Sequence, residues 1–391
     1  MQRFIVLAVL CASALHAETA LVLPFFNHSK SANLDWIGES IAESVRDALA
    51  SEGLLVLDRM DRLEAYRRLS LRPGAEITHA SIIKIGESLD ASNVIYGFYE
   101  LTPAGPGKPE TKGTIRITAR ILDLKHTGQS APFLEQGVLD ELAALEVHLG
   151  WRALTLLTPN RKGSEEEFLK ARPPVRIDAV ESYVRGLLAT QQEQRHRFFT
   201  QAARLDEHYS QPCFELGKSF WEKKDYKIAA GWFERVARSD PHFREAQFFL
   251  GLSRYSGGDF AGAAQAFQLV AATVPLNEVY NDLGAAQSRK NDTGAAVVSF
   301  QKALEGDSGD PDYHFNLGYT LWRAGKFEQA ANSFREATVR NPSDQEAAAF
   351  LARAQKQEGP RPGDAKTENR ERIKTNYEEA AYRQLQAELV K

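Results

Sequence analysis

The fold class predicted by this 391-residue chain is an α/β N-terminal domain, a mixed sheet with covering helices, followed by an all-α solenoid of repeated helix pairs. Three observations predict it. In the second half one skeleton returns four times: Leu-Gly, an Ala twelve residues after the Gly, and a Phe four residues after that Ala. In the first half, short continuous apolar runs alternate with stretches in which apolar residues recur every four positions, as buried strands and helices do. Between the halves lies a charged stretch ending in Pro173-Pro174.

Residues 1–17 read as a signal peptide. Gln2-Arg3 is a basic start, Phe4 to Leu10 is apolar, and Ala12-Ser13-Ala14 and Leu15-His16-Ala17 are two small-residue cleavage sites. An exported protein, periplasmic or secreted and cleaved near Ala14 or Ala17, is expected. The apolar run is too short to span a bilayer and no later stretch is long enough, so no transmembrane segment is expected and peripheral membrane association stays open. Leu10 stands where a lipid-attachment motif at Cys11 would want a small residue. Cleavage leaves only Cys213, which its place on an inward helical face marks as a buried, inert thiol.

Residues 18–160 form the α/β domain. Ala20-Leu21-Val22-Leu23-Pro24-Phe25-Phe26 and Leu54-Leu55-Val56-Leu57-Asp58 are apolar runs of strand length, and Ile37, Ile41, Val45 and Leu49 between them make one helical stripe. Two short helices follow at residues 61–69 and 81–89, the second opened by Thr78 as a cap. Residues 93–101 and 114–122 read as strands joined by a tip rich in Pro, Gly and Lys, and His126-Thr127-Gly128-Gln129 turns the chain into a further strand at 133–138. A closing helix over 139–157 carries Leu142, Leu145, Leu149 and Leu156 on one face.

This half resembles the TolB amino-terminal and CsgG-like envelope domains. The likeness is carried by Leu23-Pro24-Phe25-Phe26-Asn27, Leu34-Asp35-Trp36-Ile37-Gly38-Glu39, Leu55-Val56-Leu57-Asp58-Arg59, Val94-Ile95-Tyr96-Gly97 and Ile117-Thr118-Ala119-Arg120-Ile121-Leu122-Asp123. It implies an interaction and assembly module of the bacterial envelope with no shared catalytic centre.

After a linker at 161–175, the solenoid occupies 176–357 as about five repeats and a capping helix. The copies are Leu216-Gly217/Ala229/Phe233, Leu250-Gly251/Ala263/Phe267, Leu283-Gly284/Ala296/Phe300 and Leu317-Gly318/Ala330/Phe334, with glycines 34, 33 and 34 residues apart. Pro241, Pro275 and Pro342 close three of them, and Ser308 stands in the fourth. Each unit reads as helix, turn, helix: a small residue at the crossing lets the axes approach, Phe fills the wedge, and Pro ends the unit. One such pair cannot bury both faces, so neighbours stack. The pattern resembles the tetratricopeptide repeat, with a weaker, shortened copy around Gly186 and Phe199. A polar linker (358–374) and a last helix (375–390) follow, the helix bearing Tyr377, Ala381, Leu385 and Leu389 as a narrow stripe for docking on the solenoid or a partner.

No chemistry rises from the motifs. Gly306-Asp307-Ser308-Gly309-Asp310 resembles a protease nucleophile segment but falls at a repeat junction. Gly105-Pro106-Gly107-Lys108 lacks a phosphate-loop frame, the acids around Asp310 lack calcium-loop spacing, and no histidines pair at metal-binding intervals. No cofactor, metal or catalytic residue is expected. Net charge of −4 without a basic stripe excludes binding to nucleic acid by phosphate neutralisation.

The expected site is therefore a surface. In tetratricopeptide solenoids the first helices line a groove, which here places Phe214, Lys218, Trp221, Phe248, Leu252, Tyr255, Asn281, Arg289, Phe315, Asn316, Tyr319 and Trp322 along it. Aromatics in such number mark a binding face for a protein or peptide partner in the cell envelope, gripped by apolar side chains and by Asn281, Asn316 and Arg289. Trp221 and Trp322 are expected to be dispensable for folding. The function expected is a non-catalytic envelope scaffold. Two alternatives stand beside it: a regulator whose front domain activates an enzyme such as a peptidoglycan synthase, and a hydrolase with a site at the domain junction.

Overall fold

Successive residues of the first strand face opposite sides of the sheet, and both sides are apolar. Ala20 and Val22 enter one core while Leu21 and Leu23 enter another, so this strand is covered on both faces. The computed structural model describes residues 19–389 apart from Lys30 and Pro362; the leader, Cys11 and both cleavage sites lie outside the described residues. The front elements are β1 (Thr19–Val22), β2 (Phe26–Asn27), α1 (Trp36–Ser51), β3 (Leu55–Val56), α2 (Arg59–Arg68), α3 (His79–Ser88), β4 (Asn93–Thr102), β5 (Thr114–Asp123), β6 (Gly128–Gln129), β7 (Phe133–Val138) and α4 (Leu142–Leu157).

The sheet is mixed. β3, β1 and β4 run parallel, β2 extends the β1 side of β4, and β5 pairs antiparallel with β4, β6 and β7. α1 and α4 cover one face through Ile37, Ile41, Val45, Leu49, Leu142 and Leu149, and α2 and α3 cover the other through Ala65, Tyr66, Ile82 and Ile85. The first expected strand is broken in two. Pro24 has no N–H to give, and the Phe25 N–H turns to the Gly38 carbonyl of α1 at 3.1 Å instead of the ladder. The second stops early because Asp58 leaves the sheet to cap α2, accepting from the Asp61 N–H at 2.8 Å.

Behind this domain come α5 (Glu165–Lys170), then five helix pairs: α6 (Ile177–Leu188) and α7 (Gln192–Leu205), α8 (Gln211–Glu222) and α9 (Tyr226–Phe233), α10 (Phe243–Ser256) and α11 (Phe260–Ala271), α12 (Asn277–Arg289) and α13 (Thr293–Gly306), α14 (Pro311–Arg323) and α15 (Phe327–Arg340). α16 (Gln345–Gln355) closes the stack with Ala347, Phe350 and Ala354 buried, and α17 (Glu379–Leu389) ends the described chain. Each pair is wedged as its spacing predicts. A Cβ added at Gly251 would lie 2.6 Å from Phe267, so nothing larger fits the crossing.

Two stretches expected as linkers are packed structure. Within 161–175, α5 is opened by a reciprocal cap between Ser164 and Glu167; Phe168 is buried against Trp151, and the Arg172 guanidinium lies 3.8 Å over the Phe168 ring while bonding Glu52 at 2.6 Å. The aromatic, hidden among charges, is the anchor. One apolar cluster then runs without interruption from Ile37 and Leu149 through Tyr183 and Phe214 to Leu250, joining domain and solenoid. The second stretch, 358–374, follows the faces of the first helices, and the last helix begins only at Glu379.

Candidate functional site: the inner face of the solenoid

Three positions recur on the first helix of each repeat, three before, one after and four after its glycine. They hold Phe214, Lys218 and Trp221 in α8, Phe248, Leu252 and Tyr255 in α10, and Phe315, Tyr319 and Trp322 in α14. In α12 the same positions hold Asn281, Ala285 and Ser288. Bulk is removed from one repeat in the middle of the row. Into that recess the chain lays its own residues 364–378, which form neither helix nor strand.

The main chain of this strap is read directly. Asn281 and Asn316 each donate a side-chain N–H to the Arg372 carbonyl, at 2.9 and 2.8 Å, and the Arg372 N–H donates to Asn316 Oδ1 at 2.8 Å. The Lys374 N–H donates to Asp282 Oδ1 at 2.9 Å and the Glu378 N–H to Glu278 Oε1 at 2.9 Å. Tyr319 Oη donates to the Thr367 carbonyl at 2.8 Å, and ahead of the strap Trp322 Nε1 donates to the Glu358 carbonyl at 2.7 Å. Burial pushes the Asp282 carboxyl well above the usual range, opposed by the Lys374 N–H it accepts.

The side chains at 371–374 and 377 of the strap are each received by the solenoid. Glu371 is fully enclosed, with Ser288 Oγ at 3.0 Å, Arg323 at 3.2 Å and Arg289 at 3.8 Å. Arg372 lies 3.6 Å over the Phe315 ring and meets Asp312, Asp344 and Glu346 at 3.0, 2.6 and 3.2 Å. Ile373 packs against the cluster of Ala285 and Phe300. Lys374 Nζ reaches Asp310 at 2.7 Å and Asp312 at 2.8 Å. Tyr377 stacks on Phe248 with ring centroids 5.1 Å apart, and Arg244 holds Glu379 at 2.7 Å. The hydrogen bonds with Asp344 and Asp312 hold the Arg372 guanidinium above its ordinary range against the cost of burial, and those with Asp310 and Asp312 do the same for Lys374.

Of the residues expected on the face, Asn281, Arg289, Phe315, Asn316, Tyr319, Trp322 and Phe248 all touch residues 358–378. Phe214 is buried against Phe233 and stacked on His242, with the Lys218 ammonium 5.2 Å from its ring. Trp221 is half-buried between Tyr226 and Phe249, Leu252 is buried, and Tyr255 lies against Phe260 and Arg289. Trp322 is 0% exposed and packs edge-on to Phe350, which corrects its reading as an exposed contact dispensable for folding. The sequence presents residues 358–374 only as a polar linker. The strap's receptor was visible in the sequence as the one repeat where Asn, Ala and Ser replace aromatics.

A second candidate lies at the domain junction, a cavity of about 160 Å³ lined by Glu43, Asp47, Glu146, Tyr183, Tyr209, Ser210 and Asp240. Burial holds the Glu146 carboxyl up at about 8 and raises Glu43 and Asp240. Ser210 Oγ donates to the Asp240 carboxylate, while the His242 imidazole is stacked on Phe214 and faces Glu245 at 3.5 Å. Hydroxyl and imidazole therefore have separate partners, unlike the relay of a hydrolase. Cys213 is buried and its thiol is pushed up to about 11 by burial, the state of an unreactive core cysteine.

Residues 214–278 and 289–354 match models of the tetratricopeptide repeat. Among solved structures, the chain is similar to YrrB, described as a tetratricopeptide-repeat protein with an unusual peptide-binding site, at 21% identity over 46% of this chain and 92% of that one with a TM-score of 0.42. It is similar to MamA of Desulfovibrio magneticus RS-1 at 22% identity over 43% and 98%, TM-score 0.38, and to a Thermobaculum terrenum O-GlcNAc transferase mutant at 25% identity over 28% and 22%, TM-score 0.27. No curated protein matches the chain.

Proposed function

We propose that the chain is a non-catalytic protein–protein interaction scaffold whose inner solenoid face binds an extended segment. One observation carries this: the face already holds such a segment, with Asn281 and Asn316 bonding the Arg372 peptide group as the neighbouring strand of a sheet would. The leader-like start and the front domain's resemblance to TolB amino-terminal and CsgG-like modules support placing the scaffold in the cell envelope, where the front domain would dock on an assembly or regulate a partner enzyme. Binding then works by apposition, with the apolar core shared by domain and solenoid fixing the geometry between them.

The test is selection of peptides from a random display library on the full-length chain, at concentrations that compete with the strap, followed by photo-crosslinking and mass spectrometry. Crosslinks on α12 and α14 are expected. Crosslinks confined to residues 19–157 would overturn the assignment and move recognition to the front domain.

A further inference from the structure

We propose that residues 364–379 are a displaceable stand-in for the partner, and that the inner face accepts from a partner protein an extended segment of the same chemistry: an acid, an arginine, an apolar residue and a lysine in succession, with an aromatic three residues beyond the lysine. The inference rests on the reading of the inner face as a segment-binding site.

The strap is held as a ligand is held. A helix or strand satisfies its main chain in its own ladder; here the Arg372 and Lys374 N–H groups and the Arg372 carbonyl go to side chains of α12 and α14. The solenoid does not need the strap to end its stack, since α16 already covers the last pair through Phe350 and Ala354. The strap follows α16 closely in the same chain, so its binding is intramolecular, and a short connection gives an effective concentration on the order of millimolar. An external segment must outcompete that concentration.

The receptor also states an order of charges. Arg289 and Arg323 enclose the acid, Asp312, Asp344 and Glu346 surround the arginine, and Asp310 with Asp312 meets the lysine. A reversed order would bring cation to cation in the enclosed Glu371 pocket, which rejects wrong partners more strongly than any lost contact. The Ala285 recess admits one apolar side chain and Phe248 supplies a platform for the aromatic.

The experiment uses the full-length chain carrying Glu371→Arg, which sets a cation against Arg289 and Arg323 and opens the face, and a fluorescent peptide of residues 364–380 with the natural sequence. The peptide is expected to bind the variant at least tenfold more tightly than it binds the unaltered chain, and a peptide carrying Glu371→Arg is expected to bind neither. Failure of the natural peptide to bind a variant that keeps its helical circular dichroism overturns the proposal. Should the variant not fold, hydrogen exchange on the unaltered chain decides: Arg372 and Lys374 amides exchanging ahead of α12 support displacement, and exchange only together with α12 overturns it. Library peptides that crosslink to α12 and α14 yet lack this charge order and are not displaced by the strap peptide would defeat this inference alone; crosslinks elsewhere would defeat the binding-face reading beneath it.

Discussion

Asn316 grips Arg372 on both sides of its residue, donating from Nδ2 to the carbonyl and accepting the N–H at Oδ1, each at 2.8 Å. A single amide side chain thereby supplies both halves of a ladder pairing. Asn316→Ala removes both bonds and leaves the strap amide without its acceptor, a loss of about 1–3 kcal/mol. Exchange of the Arg372 amide is expected to rise by roughly 5- to 150-fold, in the range that loss implies, while amides of α6 and α7 stay unchanged; mass-resolved hydrogen exchange reads both.

Trp322 is enclosed by Tyr319 and Phe350 and has its indole N–H bonded to the Glu358 carbonyl. Trp322→Ala is expected to cost about 3–5 kcal/mol by urea unfolding. Trp221, half-buried, is expected to cost less, and equal losses in the two variants would contradict their different packing.

At Gly251 the crossing leaves no room for a methyl group beside Phe267. Gly251→Ala is expected to destabilise by about 1–3 kcal/mol in spite of alanine's better helix propensity. The exposed Gly294, where an added Cβ meets nothing within 4 Å, is the control: there the same change should be neutral or stabilising.

Glu146 makes stability depend on pH. In the unfolded chain it is an ordinary glutamate near 4.5, whereas burial keeps the folded carboxyl protonated up to about 8. Between those values the folded chain binds more protons than the unfolded one, so stability falls as pH rises, by up to about 1.4 kcal/mol per unit, and the slope vanishes above the folded value. Glu43 and Asp240, raised by burial in the same cavity, act in the same direction. Urea unfolding at about pH 5, 7 and 9 should show a steeper decline for the natural chain than for Glu146→Gln.

The repeats were legible because Gly, Ala and Phe at fixed intervals are demanded by the helix crossing itself, and residues such as Gly251 and Phe267 meet where their spacing says they must. The front sheet was legible from its apolar runs, though not where they stop: Pro24 and Asp58 divert main-chain bonds into helix starts, which hydrophobicity does not record. The strap was hidden for a different reason. Glu371, Arg372 and Lys374 are charged, and a charged stretch reads as solvated unless its counter-charges, spread from Arg289 to Glu346, are known to converge on it. Asn281, in a position that the other repeats give to Phe or Tyr, was the trace left in the sequence by that burial.

A stack of repeats is an arc whose small compliances add along its length, so an open solenoid stretches and twists as a spring does. Here the spring carries a chord. From the Glu358 carbonyl at Trp322 to Glu379 at Arg244, one segment ties the last repeat to the third helix pair across the hollow of the curve. While the chord is seated the curvature of those repeats is set; once it leaves, their pitch is free to follow whatever lies in the hollow, and the α17 helix beside β3 would carry that change to the edge of the front sheet.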